Sequence, residues 1–309
     1  MKIDKKLMVV LMANLICLAI SARAAEVTPK PPVPVLDKAK IEQLTGLKGS
    51  LDEKEGVFKV SSPRNDVKIS VDKWPMPAFM GLTSWAAFKP GVQANFMVMG
   101  DLVLFEDEVN PVLGALLTSG LSVTALHNHF FYDHPKVYFM HIGGEGTLDL
   151  LATGVRKAMD KVKEIRTANP IPAAAFSYGP MPTPSKITGQ NIEKIIGVAG
   201  QSQDGMHKVV VGREVSMECG CSVGKDMGVN TWAAFAGSDA DALVDGDFAI
   251  LETELQSVLK SLHKSNINIV AIHHHMVGET PRMLFLHYWG RGKATDLAKG
   301  VKMALQLTK

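Results

Sequence analysis

Apolar and polar positions alternate along this chain in two successive rounds. Short strand-like runs at 57–60, 67–71 and 84–88 lead to a longer one at 96–105, whose β-branched and aromatic content fits a buried strand. Val109, Val112, Leu113, Leu116 and Leu117 then recur at helical spacing within 108–119. Strands are predicted at 122–129 and 136–142 around a proline-containing turn, and an amphipathic helix over 148–166. The second round predicts strands at 208–211, 215–218, 231–235 and 247–251, a helix at 254–264, strands at 268–275 and 282–288, and a helix at 294–307. Meander strands with interposed helices imply α+β, not a doubly wound sheet. The expected fold is two tandem, pseudo-symmetric copies of a mixed or antiparallel sheet with packed helices.

The rounds are an internal repeat. Residues 101–146 align without gaps to 247–292 at an offset of 146, with 15 identities in 46 positions. Divergence is deep, yet His127, His129 and His141 all return, as His273, His275 and His287. Pro135 and Pro281 also correspond. Proline-rich stretches at 25–35 and 169–186 bracket the copies, which therefore run over about 36–168 and 187–309.

Before the first proline stretch, Lys2, Lys5 and Lys6 precede an apolar run from Leu7 to Ile20, and Ala22 and Ala24 form an Ala-x-Ala site. This pattern predicts an export signal over 1–24, cleavage near Ala24 and a periplasmic or extracellular protein. The apolar run is too short to span a bilayer comfortably, so no transmembrane segment is expected in the mature chain. Cleavage removes four basic residues and one acidic one, taking the formal charge from +2 to −1. No basic excess remains to hold nucleic acid. The 46% apolar content supports a core in each copy without disulfides. Cys219 and Cys221 have no counterparts in the first copy, and their spacing allows a local disulfide, a soft-metal site or plain packing.

Residues two apart on a strand share a face, which places His127 with His129 and His273 with His275. The third histidine joins them only if the hairpin pairs in an even register. Opposed residue numbers summing to 266 put His141 across from Ala125 and diagonal to His127, whereas a slip of one residue turns it away. Three neutral imidazoles with an open fourth position suit zinc, and copper or iron also accept them. The alternatives are a polar ligand cleft and buried structural histidines. His134 and His274 are extras without mutual equivalents, and His207 and His263 are expected at the surface.

Carboxylates recur beside this pattern. Glu106 and Glu252 are the candidate general bases, with Glu108, Glu254, Asp101 and Asp247 behind them. Helix capping competes with that role, and Thr253-x-x-Gln256 reads as a capping box. Trp85-Ala-Ala-Phe88 returns as Trp232-Ala-Ala-Phe235, which fits core packing or stacking on a sugar. Gly143-Gly144-Glu-Gly146 and Gly290-Arg-Gly292 are expected as turns between strand and helix.

The Leu126-His127-Asn-His129 block with its His141-x-Gly-Gly144 ending, echoed at Ile272-His273-His-His275 and His287-Tyr-Trp-Gly290, resembles the LppY/LpqO domain family. That resemblance covers nearly the whole mature chain and implies an exported bacterial protein, often with the domain present twice. It implies no particular activity, substrate or metal. Cys17 lacks a lipidation context, since Ile16 stands where a small residue is needed. The expected function is an exported envelope protein with a histidine metal site in each repeat, acting as a metal-dependent hydrolase. The alternative is a non-enzymatic module for an envelope glycan, peptide or small ligand.

Overall fold

In the computed structural model, residues 34–91 and 96–308 are described. The expected export signal and nearly all of the first proline stretch lie outside them. One compact unit holds both repeats. Its twelve main strands are β1 (Gly49–Asp52), β2 (Val57–Pro63), β3 (Thr83–Pro90), β4 (Phe96–Phe105), β5 (Ser122–His127), β6 (Val137–Gly146), β7 (Gly200–Gln203), β8 (Met206–Gly212), β9 (Asn230–Gly237), β10 (Ala242–Leu251), β11 (Asn268–His273) and β12 (Met283–Gly292). They form one sheet in the order β1-β2-β3-β4-β6-β5-β11-β12-β10-β9-β8-β7, antiparallel throughout. Each repeat supplies six consecutive strands, so the α+β expectation and the pseudo-symmetric pairing both hold.

Helices α1 (Lys38–Thr45), α2 (Glu106–Thr118), α3 (Leu148–Ala168), α4 (Gly189–Ile196), α5 (Leu255–Lys264) and α6 (Ala294–Leu305) lie on one face. Alternate strand residues point into that core: Val98, Leu102 and Leu104 on β4, Met140 and Ile142 on β6, Leu284, Leu286 and Tyr288 on β12. The intervening positions face the other way. There the excursions between β2 and β3 and between β8 and β9 cover Phe139 and Phe285 with two smaller apolar clusters. Phe88 and Phe235 are core residues, while Trp85 and Trp232 take the open face.

The repeats meet where β5 pairs with β11 at a single position, Leu126 opposite Ile272. These two residues are each other's equivalents at offset 146, so the pseudo-twofold axis passes between them. Both strands bulge near this seam, at Thr124 and Val270. The backbone beside each bulge is captured by a helix of the other repeat. Asn110 of α2 accepts from Ile269 N–H at 2.7 Å and donates to its carbonyl at 3.1 Å. Gln256 of α5, its equivalent, accepts from Val123 N–H at 3.1 Å and donates to its carbonyl at 2.7 Å. A lone bridge leaves strand-edge amides without ladder partners, and these side-chain amides replace them.

Several local expectations change. Gln256 is committed to the seam rather than to a capping box with Thr253. Glu108 and Glu254 bond back to the N–H groups of Phe105 and Leu251, at 2.9 and 2.8 Å. They also pair with Arg64 and Arg213, at 2.7 and 2.6 Å. Their recurrence is therefore structural. Both expected glycine turns are strand, because β6 and β12 run on to Gly146 and Gly292. A Cβ at Gly144 would lie 2.8 Å from a methyl of Leu121 and 3.1 Å from one of Leu151, so glycine there lets these side chains pack against the strand. His207 is buried against Ser202 Oγ at 2.9 Å, not on the surface. Among the described residues, no helix is long and apolar enough to cross a membrane.

Removing one seam amide strands two backbone groups, at a cost of about 1–3 kcal/mol. Asn110→Ala and Gln256→Ala should each lower the urea midpoint, and the double variant should lower it further. A double variant unfolding at the wild-type midpoint would show that the seam does not rely on them.

Candidate metal centre

β5 and β11 stop at His127 and His273, so His129 and His275 lie two residues beyond the strand ends. Their rings still return to the cluster. Ring centroids of His127 and His129 are 5.1 Å apart, as are those of His273 and His275. Phenylalanine holds them there: His129 lies flat on Phe139 at 3.4 Å, and His275 on Phe285 at 3.5 Å.

The third imidazole arrives by strand register. β5 and β6 place Ala125 opposite His141, the even pairing the site requires, and β11 and β12 place Ala271 opposite His287. Centroid separations are 5.1 Å for His127 and His141 and 5.0 Å for His273 and His287. In the second repeat, one nitrogen from each of His273, His275 and His287 falls within 4.8 Å of the others, a triad able to hold a metal ion.

On its other side, β6 pairs His141 with Asp101, and β12 pairs His287 with Asp247. Asp247 Oδ2 is 3.6 Å from His275 Nε2 and 4.0 Å from His287 Nε2, and Asp101 Oδ2 is 4.0 Å from His141 Nε2. These distances are too long for hydrogen bonds. They approach the spacing of atoms sharing one ion, because two donors about 2.1 Å from a tetrahedral metal stand about 3.4 Å apart. Asp247 floors the site at 3% side-chain exposure, while His275 and His287 form its rim at 35% and 39%. The open rim leaves room for water or substrate.

Electrostatics fit the same arrangement. Asp101 Oδ1 and Asp247 Oδ1 are buried without a hydrogen bond. Burial raises the Asp247 carboxyl above its ordinary range against the pull of His287 and His275, and burial lowers the His129 and His275 imidazoles. A cation between these groups would compensate the desolvated carboxylate and accept the neutral imidazole lone pairs.

Asp101 and Asp247 carried a signal in the repeat itself. Their directness shows only once β4 and β10 are known to flank the third histidines. The glutamates Glu106 and Glu252 stand five residues further along, roughly 16 Å at strand rise. Glu252 is exposed and lies 3.5 Å from Arg282. Glu106 instead lines a cavity with His287 of the other repeat. His274 Nδ1 is 3.2 Å from the Met283 carbonyl, and His134 is exposed. Cys219 and Cys221 are free and exposed. Trp85 and Trp232 pair with Asp101 and Asp247, and Lys59 and Lys208 stand 4.2 and 4.3 Å above their rings.

The chain matches the family described as Domain of Unknown Function (DUF1259) over residues 39–161 and 190–307, and it belongs to that family. The two matched segments coincide with the two half-sheets. No curated protein matches it. A solved trimeric bacterial microcompartment shell protein, PduB, aligns at 10% identity over 84% of this chain and 89% of its own, with a TM-score of 0.21. That likeness is too slight to carry a conclusion.

Because burial raises the Asp247 carboxyl, metal-free protein is favoured by its proton. This contribution is full below the unfolded carboxylate range and is lost as pH rises toward the folded value. Asp247→Asn should therefore melt higher than wild type in chelator at neutral pH, and should lose the stabilisation that added zinc gives wild type. An unchanged zinc response would remove Asp247 from the ligand set.

Proposed function

We propose that this is an exported envelope protein with one His₃Asp metal centre in each repeat: His127, His129, His141 and Asp101, and His273, His275, His287 and Asp247. The observation that carries the reading is the convergence, in the second repeat, of three imidazoles beside the buried Asp247 carboxylate, whose Oδ1 has no hydrogen-bond partner. Zinc suits this donor set, with iron and copper as alternatives. The open imidazole rim, above a carboxylate that is buried in the second repeat and half-buried in the first, supports a reactive centre over a purely structural one.

The activity we assign is metal-dependent hydrolysis. A divalent metal held here would supply Lewis acidity and lower the pKa of a bound water. The chain's own residues orient the donors: Phe139 and Phe285 fix the second imidazole by stacking, and the paired strands set the third opposite the aspartate. Placement near the LppY/LpqO proteins is part of this proposal, and the tandem repeat supports it. A non-enzymatic ligand-binding role is the second reading, favoured by the aromatic cavity beside His287.

Elemental analysis of untagged protein tests the centre. Wild type should carry close to two equivalents of one metal, His129→Ala or His275→Ala one, and the double variant none, with unchanged circular dichroism. Absence of metal in wild type after reconstitution with zinc, iron and copper would overturn the proposal.

A further inference from the structure

The two centres are related by sequence, but their surroundings differ. Beside the second lies a cavity of about 470 Å³ that no single repeat builds. The first repeat contributes the start of α2 and Tyr138, the second contributes β11 and β12, and the proline-rich segment 169–186 supplies residues 173–176. Phe176 from that segment stacks on Trp289 at 4.8 Å and 8°. The equivalent of Trp289 in the first repeat is Gly143, which offers no such wall. The proline-rich segment likewise has only one copy between the repeats.

The chemistry of the walls is selective. Glu106, Asp107 and Asp245 all line the cavity, and no lysine or arginine does. Asp107 is committed to Arg166 and to the Ala173 N–H. Among the described residues neither Glu106 nor Asp245 makes a hydrogen bond or a close ion pair, and Lys136 acts on Glu106 only at longer range. The remaining walls are largely apolar and aromatic, including Val109, Ile269 and Trp289. An anion would meet carboxylates with no cation in the lining, and a fully apolar molecule would desolvate them without return. An ammonium on an apolar body satisfies both, since carboxylates pair with it and aromatic rings attract it.

We propose that this cavity is a binding pocket for small organic cations, amines carrying a flat apolar group, and that it presents them to the second repeat's centre at His287. The volume falls within the range of small-molecule pockets. Glu106 is partly desolvated there, and burial raises its carboxyl. A bound ammonium would offset that burial. The glutamate therefore serves the other repeat's centre, as a positioning residue for ligand rather than as a base for its own histidines. Cation binding stands on the cavity alone; delivery to a metal rests on the proposed function.

Calorimetric titration of the full chain with 2-phenylethylammonium, against the similarly sized anion 3-phenylpropionate, tests this. The cation should bind saturably at one site and the anion at least tenfold more weakly. Glu106→Gln and Asp245→Asn should each weaken the cation about tenfold, and Trp289→Gly, which installs the first repeat's residue, should weaken it further. Equal binding of both probes, binding of neither, or cation binding indifferent to all three substitutions would overturn the pocket. His275→Ala separates the two proposals, because it should empty the metal centre while cation affinity stays within about threefold. Metal without cation binding would sink the pocket alone, and cation binding without metal would sink only the centre.

Discussion

Everything distinctive in this molecule follows from a seam one residue wide. A six-stranded half-sheet ending in β5 or β11 leaves a row of backbone donors and acceptors at its edge, and an uncovered edge recruits other chains. Here each edge covers the other. Only Leu126 and Ile272 pair, and the bulges at Thr124 and Val270 bend the strands apart on either side. Asn110 and Gln256 complete the closure by bonding backbone of the opposite repeat. The repeats share a single hydrophobic core as a result, with residues from all six helices in one cluster.

The same seam positions the chemistry. His127 and His273 directly follow the two axis residues, so both imidazole clusters begin where the half-sheets join. Each then gathers its third histidine and its aspartate from successive neighbouring strands. Strand pairing is a rigid means of holding donors, because a register slip would turn every ligand away at once. The arrangement has an electrostatic cost at Asp101 and Asp247, whose Oδ1 atoms are buried without a hydrogen-bond partner. The buried glutamates of the sheet are paired with arginine: Glu108 meets Arg64 and Arg166, and Glu254 meets Arg213. Asp101 and Asp247 differ from these glutamates in facing imidazoles instead of guanidinium groups.

Much of this was legible in the sequence wherever periodicity was long. Strand 96–105 and helix 148–166 have patterns that no competing element imitates, and both are found within two residues of their predicted ends. Helices α1 and α4 were not read, because eight residues burying two side chains each leave little periodic signal. Their caps were the available clue: Asp37 accepts from Lys40 N–H, and Gly46 and Gly197 take positive φ. The histidine triads were legible only as a condition on register. Asp101 needed one further strand pairing, and that is tertiary information. Glu106 opens α2 five residues beyond Asp101, and closeness in sequence there runs along a strand, which carries residues apart fastest.

Duplication explains why the two centres retain the same donors while their surroundings diverge. A histidine cluster of this kind tolerates little change, since its donors are held by strand register and, at His129 and His275, by a stacked phenylalanine. The positions around it are under no such constraint. Gly143 and Trp289 occupy equivalent places on β6 and β12, and the difference between no side chain and an indole decides whether the linker has a surface on which to dock. Once Phe176 stacks there, the segment joining the repeats becomes a wall of one centre and not of the other. A covalent linker can close over only one of two symmetric sites, so asymmetry was available as soon as the repeats were joined in one chain. The first centre keeps a smaller recess of its own, about 300 Å³, with Lys59, Trp85 and Asp101 in its walls. Lys208 stands over Trp232 in the second repeat as Lys59 stands over Trp85 in the first, so the asymmetry of the two centres lies in the linker-walled cavity beside His287 and not in this lysine.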